Sequence, residues 1–296
     1  MLDLTVVIRC GDDERVFRCI ESIDETVEII VSASENPVLQ AKLEERGIEY
    51  CLTPRFNLSV TSNMGFEKAT HDKVLITDSD TWFESNCIKR VYDALEDFKV
   101  ARTRLVFDHG ADVPFSRLVS EARDYVNSLP VVYTPGIGIR ADLVPDIGGF
   151  LFNDPVPYAV DADLNYRIQK AGIPVKFLSD AIIHHDVVGV WQDLKAATRI
   201  GLGCMVSAQL LSGHHISGAS ACSTVRELKG VKPRHLMDVA KSKGIGVFLY
   251  QLLWDLHFYT GRNFQWLFRR YKHKSEKRVD NEAKVLQPSG GIGKHG

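Results

Sequence analysis

KVLITDSDTWF, residues 73 to 83, is the stretch from which the rest of the chain can be read. Its first half is an apolar, β-branched run, and its second half carries two carboxylates, Asp78 and Asp80, one residue apart. A buried strand ending abruptly in acids fits an open parallel sheet, in which ligands bind at the C-terminal ends of strands. Within a strand, side chains two residues apart share one face. Where the strand unwinds into a loop, both can turn toward one hard cation. A Mg²⁺ or Mn²⁺ ion held there would bridge the oxygens of a diphosphate. The same tripeptide alone is also an ordinary solvated turn; its place at a strand end favours the ligand-binding reading.

Upstream, short β-branched runs alternate with amphipathic stretches: LTVVI (4 to 8), a helix over 13 to 23, VEIIV (27 to 31), a helix over 37 to 46, IEYCL (48 to 52) and a helix over 58 to 70. This βαβαβαβ order predicts an α/β fold with a doubly wound, mostly parallel sheet and helices on both faces. Leu39 and Leu43 share one helix face, and Gly47 stops that helix. Downstream, KVARTRLVF, a polar helix near 115 to 128 and the Pro- and Gly-broken VVYTPGIGIRADLVPDIGGF read as a binding wall. Residues 161 to 171 predict a helix, 180 to 186 the end of an apolar strand, and the chain beyond Asp186 a largely helical C-terminal segment.

Composition limits the partners. The 296 residues are 45% hydrophobic and 25% charged, which excludes a disordered chain and leaves ample apolar mass for a core. Thirty-six Lys plus Arg oppose 38 Asp plus Glu, a net charge of -2, so no overall field draws the chain to nucleic acid and none is expected as a partner. Six cysteines at 10, 19, 51, 87, 204 and 222 show neither CxxC pairs nor zinc spacings, and read as scattered thiols in a reducing compartment. The first residues read as a strand rather than a signal peptide, so a cytoplasmic location is expected. The charge-free run from 200 to 225 holds too many Ser, His and Gly residues to be a membrane span. Residues 244 to 278 join an aromatic helix to RRYKHKSEKR, six Lys or Arg in ten residues. That pairing suggests peripheral contact with the inner face of a membrane, and equally suits a packed helix with a solvated basic tail.

Two further clusters carry chemistry. AVDADLNYRIQKAG (159 to 172) puts Asp161 and Asp163 at a helix start, where one acid is a normal cap; a second, fixed beside a cleft, can take a proton from a hydroxyl. Arg167 lies four residues after Asp163, at the spacing of an i,i+4 pair. In DAIIHHD (180 to 186) an apolar strand ends in His184 and His185; beside Asp78 and Asp80, a neutral imidazole is a further metal-ligand candidate, with His185 preferred.

Taken in order, these motifs resemble the family 2 glycosyltransferases of the GT-A fold. The resemblance spans roughly residues 3 to 190: LTVVIRCGDDERVFRCIESI, VEIIVSASE, NLSVTSNMGFEKATHDKVLITDSD, then IGGF, VDADLNYRIQKAG and a strand ending in His. It implies a metal-dependent, inverting transfer of a sugar from a nucleoside-diphosphate hexose to a hydroxyl of a saccharide, lipid-linked or protein acceptor, in glycan or glycolipid biosynthesis. Asp161 becomes the general base. Asp80 coordinates Mn²⁺ or Mg²⁺, Asp78 lies near ribose or metal, and His185 or His184 completes the set. Cys10, Ser32, Arg55, Asn57 and Asn63 fall in the nucleotide pocket, and Gly149, Asp163 and Arg167 in the remaining substrate surface. The implied organisation is a catalytic domain over 1–190, with donor half 1–97 and acceptor half 98–190, a helical extension over 191–280 and a disordered tail over 281–296.

Three departures stand out: Ser32, Ala33 and Ser34 where relatives often place an Asp that reads uracil, Val160 where many have Glu, and Arg9 with Cys10 after the first strand in place of Pro and a small hydroxyl residue. A nucleotidyltransferase is the alternative enzyme class, but its phosphate loop is usually Gly-rich and basic, whereas RCGDDER has one Gly and three acids. A catalytically silent sugar-binding scaffold is the non-enzymatic alternative.

Overall fold

The computed structural model describes residues 1–53, 57–129, 131–211, 224–225, 227–229 and 233–263. The alternating first half becomes β1 (Thr5–Cys10), α1 (Val16–Glu21), β2 (Glu28–Ser34), α2 (Pro37–Glu45), β3 (Glu49–Thr53), α3 (Leu58–Lys68) and β4 (Lys73–Asp78). All six residues of β1 are buried, as a strand covered on both faces requires. Helix α2 starts where the Asn36 side chain accepts from the backbone N–H groups of Val38 and Leu39, with Pro37 in its first turn. It ends at Gly47, whose φ of 64° few other residues tolerate.

The second half runs β5 (Thr81–Phe83), α4 (Cys87–Asp97), β6 (Val100–Phe107), α5 (Ser116–Asn127), β7 (Ile137–Arg140), a 3₁₀ segment (Ala141–Ile147), α6 (Val160–Lys170) and β8 (Val175–His185). Three long helices follow among the described residues: α7 (Val190–Leu211), α8 (Pro233–Lys243) and α9 (Ile245–Asn263). One eight-stranded sheet takes the order β3-β2-β1-β4-β7-β6-β8-β5. Strands β1, β2, β3 and β4 pair in parallel, as do β6 and β8. Strand β7 lies antiparallel between β4 and β6, and β5 is antiparallel to β8 at the edge.

The expected mostly parallel GT-A-type sheet is therefore present. Strand β7 is an addition, hidden in a stretch that reads as Gly-broken loop. Its Gly138 is there for space, since a Cβ would fall 2.4 Å from Val91 Cγ1 on α4.

Alternation along β1 divides the interior into two layers. Val6 and Ile8 pack with α1, α2 and α4 on one face of the sheet, and Val7 packs with β7 and α6 on the other. A third apolar cluster joins Val119 of α5 to Ala197 and Cys204 of α7 and to Trp254 and Phe258 of α9. Helices α7 and α9 cross at glycine: a Cβ on Gly201 would lie 1.9 Å from the Phe258 carbonyl oxygen, and one on Gly261 would lie 1.9 Å from that of Thr198. No described helix is long and apolar enough to cross a membrane. Cys10, Cys19, Cys87 and Cys204 are free and buried, and Cys51 is free and half-buried. Arg55, Cys222, the basic end of 244–278 and the tail 281–296 lie outside the described residues.

Candidate active site

Three strand and helix ends meet beside the sheet. β4 stops at Asp78, and the Thr81 hydroxyl donates 2.7 Å to the Asp78 carbonyl, closing the turn that carries Asp80. β8 stops at His185, which is paired across the ladder with Thr81. Asp161 lies in the first turn of α6. Asp78, Asp80, Asp161 and His185 all line one cavity of about 320 Å³. Both acids therefore stand at the cavity end of β4, Asp78 on its last residue and Asp80 in the turn that follows.

Asp80 Oδ2 lies 3.5 Å from His185 Nε2 and 3.8 Å from Arg15. Burial raises the Asp80 carboxyl above its ordinary range and the neighbouring Asp78 charge adds to the rise, while His185 and Arg15 oppose it. His185 Nδ1 is 2.9 Å from the carbonyl of Asp186, which can only accept, so Nδ1 carries a proton and Nε2 is the atom turned to the Asp80 carboxylate. A ring nitrogen fixed from behind by a carbonyl is the usual arrangement of a histidine ligand. Asp78 keeps its Oδ2 for the same purpose, because both contacts from Arg9, through Nε and NH2 at 2.7 Å, fall on Oδ1. Among the described residues no group of three His, Cys, Asp or Glu side chains is already gathered around one point. The donors thus suit Mn²⁺ or Mg²⁺ in kind and would close in around it.

Arg9 itself is 3% exposed, and its NH1 also reaches Ser62 Oγ at 3.4 Å. The departure from Pro after the first strand thus places a fixed positive charge beside the paired acids.

Asp161 follows Ala159, which takes a left-handed φ of 57° and turns the chain sharply into α6. That turn aims the Asp161 side chain at the cavity instead of solvent. Burial raises its carboxyl above the ordinary range; a 2.9 Å hydrogen bond from the Ala162 N–H and the charge of Arg9 partly offset this. A carboxylate so placed accepts a proton more readily than a solvated one.

Asp163 points the other way and is fully buried, accepting from Arg167 Nε at 2.8 Å and from Ser207 Oγ at 2.6 Å. Arg167 spends its remaining donors on the carbonyls of Ile147, Phe150 and Leu151. These two residues pin the loop containing Gly149 to α6. Asn63 pins the same loop from α3, bonding Phe152 through both its amide oxygen and nitrogen. Asn57 caps α3 and donates to the Asp154 carbonyl at 3.3 Å. Ser32 donates to the Thr61 carbonyl and Cys10 to that of Asp13, both from the ends of parallel strands. Gly149 has a φ of 84° with open space around it.

His184 faces away from the acids. Its ring stacks on Trp82 at 5.3 Å and bonds Glu84 at 2.9 Å and Asp108 at 3.0 Å. Burial works against its charge, yet those carboxylates outweigh it and raise its pKa. The alternation of β8 thus separates the adjacent histidines and leaves His185 alone with Asp80. The cavity also exposes residues that sequence reading passed over: Tyr133 and Asn165 beside Asp161, and Arg123, Gln251 and Trp254 further in. They come from α5, α6, α9 and the segment before β7, so no single local spacing could have gathered them all.

An eight-stranded sheet of this order, with carboxylates at the switch between its halves, is an α/β fold of GT-A type. Residues 20–125 match the family model described as glycosyl transferase family 2. No curated protein matches the sequence. Among solved structures, the chain is similar to S. aureus TarS 1-349 in complex with UDP-GlcNAc, at 15% identity and a TM-score of 0.53, over 81% of this chain and 74% of that one. It is also similar to GalNAc-T7 with UDP, GalNAc and Mn²⁺, at 15% identity and a TM-score of 0.51, over 82% of this chain and 57% of that one. The chain thus has a GT-A-type fold and, over residues 20–125, a segment similar to the family 2 glycosyltransferases.

Proposed function

We propose that the protein moves a sugar from a nucleoside-diphosphate hexose to an acceptor hydroxyl by a single displacement that inverts the anomeric centre. The observation that carries this reading is the convergence of Asp78, Asp80, Asp161 and His185 on one cavity. Asp161, raised in basicity by burial, takes the proton of the acceptor hydroxyl as its oxygen attacks the anomeric carbon. With a base in place and no nucleophile required, the displacement needs no covalent enzyme intermediate. Asp80 and His185, with Asp78 Oδ2, are the residues that would hold a divalent cation, which when bound offsets the charge of the departing diphosphate. Arg9 fixes Asp78 in place and adds positive charge on the same side of the site. The UDP compounds in the two similar structures support a nucleotide-sugar donor, and the Mn²⁺ beside GalNAc-T7 supports the choice of ion.

The reading assigns the donor to residues 1–97 and the acceptor to 98–190, with the helices from 191 onward closing the acceptor side. It places the protein in the cytoplasm. Thermal unfolding against nucleoside diphosphates, with Mn²⁺, Mg²⁺ or chelator, tests it on the wild type and on Asp80→Ala. Ligand at a 100-fold excess over Kd stabilises by about 2.7 kcal/mol. A metal-dependent upward shift with one nucleotide, lost in the variant, is the expected result; no shift with any nucleotide refutes the assignment.

A further inference from the structure

The cavity does not stop at the acids. Beyond Asp161 it runs between α5, α7 and α9, where Val126, Val132, Ala196, Ile200, Trp254 and Phe258 face it. A saccharide needs free hydroxyls, amides and charges to replace its lost water, whereas Asn127, Asn165, Asp193, Lys229 and Gln251 on this wall already bond within the protein and leave mostly aliphatic and aromatic carbon. One donor on this wall lacks an acceptor: Trp254 Nε1 is buried and has no hydrogen-bond partner among the described residues. Arg123 is accounted for, with NH2 donating to Gln251 Oε1 at 3.1 Å, Nε 3.7 Å from Asp193 Oδ2 and the guanidinium lying 4.6 Å from the Trp254 ring. A buried donor left unpaired is costly, so its presence beside a cavity suits a ligand oxygen.

We infer that the inner part of this cavity is the acceptor subsite and that the acceptor is an apolar hydroxy compound, an alkyl or aryl body with its hydroxyl at Asp161 and a second, hydrogen-bond-accepting oxygen toward Trp254. The inference rests on glycosyl transfer as the function of the site and narrows the acceptor left open above. The cavity of about 320 Å³ includes the end beside Asp78 and Asp80, and about 150 Å³ takes one benzene ring, so the part beyond Asp161 suits one ring or a short alkyl chain.

Calorimetric titration of the full chain tests this with three probes: 3-hydroxyhexanoate for the alkyl arm, 4-hydroxybenzoate for the aryl arm and maltotriose as the saccharide. Each is also incubated with nucleotide sugars and searched for a hexose mass gain. One or both apolar probes should bind and gain the hexose, and the arm that binds names the body. Ala196→Phe, which fills the cavity, should abolish that binding while far-UV circular dichroism stays unchanged. Trp254→Phe keeps the packing and removes one donor, and should weaken it about tenfold, the size of one buried hydrogen bond. Binding of apolar probes without transfer to any acceptor would keep the subsite and sink the glycosyl-transfer reading. Transfer to maltotriose with both apolar probes inert, or apolar binding indifferent to both variants, would overturn the subsite and leave the transfer reading standing.

Discussion

At the scale of single residues, Asp161 sets function against stability. Its carboxyl is raised by burial, so the folded protein holds a proton there more tightly than the unfolded chain does. Stability from this group therefore falls as pH climbs from the ordinary carboxylate range through the raised folded value, and stays lower above it. Asp161→Asn removes that cost at neutral pH, so its melting temperature should equal or exceed that of the wild type. The same variant has no base, and turnover should drop about 10²- to 10⁴-fold with nucleotide binding retained. In the wild type, kcat/KM should rise with pH through an apparent pKa above the ordinary carboxylate range and then level; a flat profile would remove Asp161 from the chemistry. Arg167 is the structural contrast. It is 7% exposed and paired with a fully buried Asp163, so Arg167→Leu leaves an uncompensated charge and should cost about 3–5 kcal/mol in denaturant unfolding. Asn at position 163 in the same background should recover most of that loss, because it removes the stranded charge.

At the scale of elements, α7 and α9 cross in close backbone contact. Gly201 and Gly261 let each backbone touch the other, and Ile200, Cys204, Trp254 and Phe258 border the cavity at the same crossing. Gly201→Ala must push the helices apart, since its Cβ would meet a carbonyl and not a flexible side chain; the loss should be about 3 kcal/mol by thermal unfolding, at the upper end for overpacking. In sequence these glycines look like helix breakers, because one-dimensional reading sees conformational freedom and not the neighbour that needs the space. β7 was hidden for the same reason, its Gly138 serving α4. The strands β1 to β4 and helices α2, α3, α5 and α6 were legible because period, caps and stops agreed locally. The acids and His185 were legible too, standing at the ends of readable elements. Asp163, Arg167 and Asn63 look like site residues in sequence, yet their polar atoms are spent holding the loop around Gly149. Only partners distant along the chain reveal that.

At the scale of the whole molecule, charge and apolar surface must be weighed together. A net charge of -2 gives no general attraction to anionic lipid, so any membrane contact has to be local. The outward face of α9 supplies a candidate: Ile245, Leu249, Leu252, Leu253 and Leu256 are all exposed, between 40% and 68%. They recur at helical spacing on the side away from Trp254 and Phe258, which face the core. The basic run of residues 269 to 278 follows soon after in the sequence. Apolar residues on an interfacial helix bind weakly alone, and neighbouring Lys and Arg each add about 1 kcal/mol at an anionic surface. The full chain should therefore float with vesicles rich in anionic phospholipid, float less with neutral vesicles, and detach as salt shortens the electrostatic range. Leu249→Glu with Leu256→Glu should abolish flotation and leave the melting temperature unchanged, because neither side chain belongs to the core. Such an orientation would bring the α7–α9 crossing, and the apolar cavity beside it, to the lipid surface from which a hydroxylated hydrocarbon is drawn. Equal flotation of the double variant would show that α9 keeps its leucines for another reason, and the cavity would then have to fill from water.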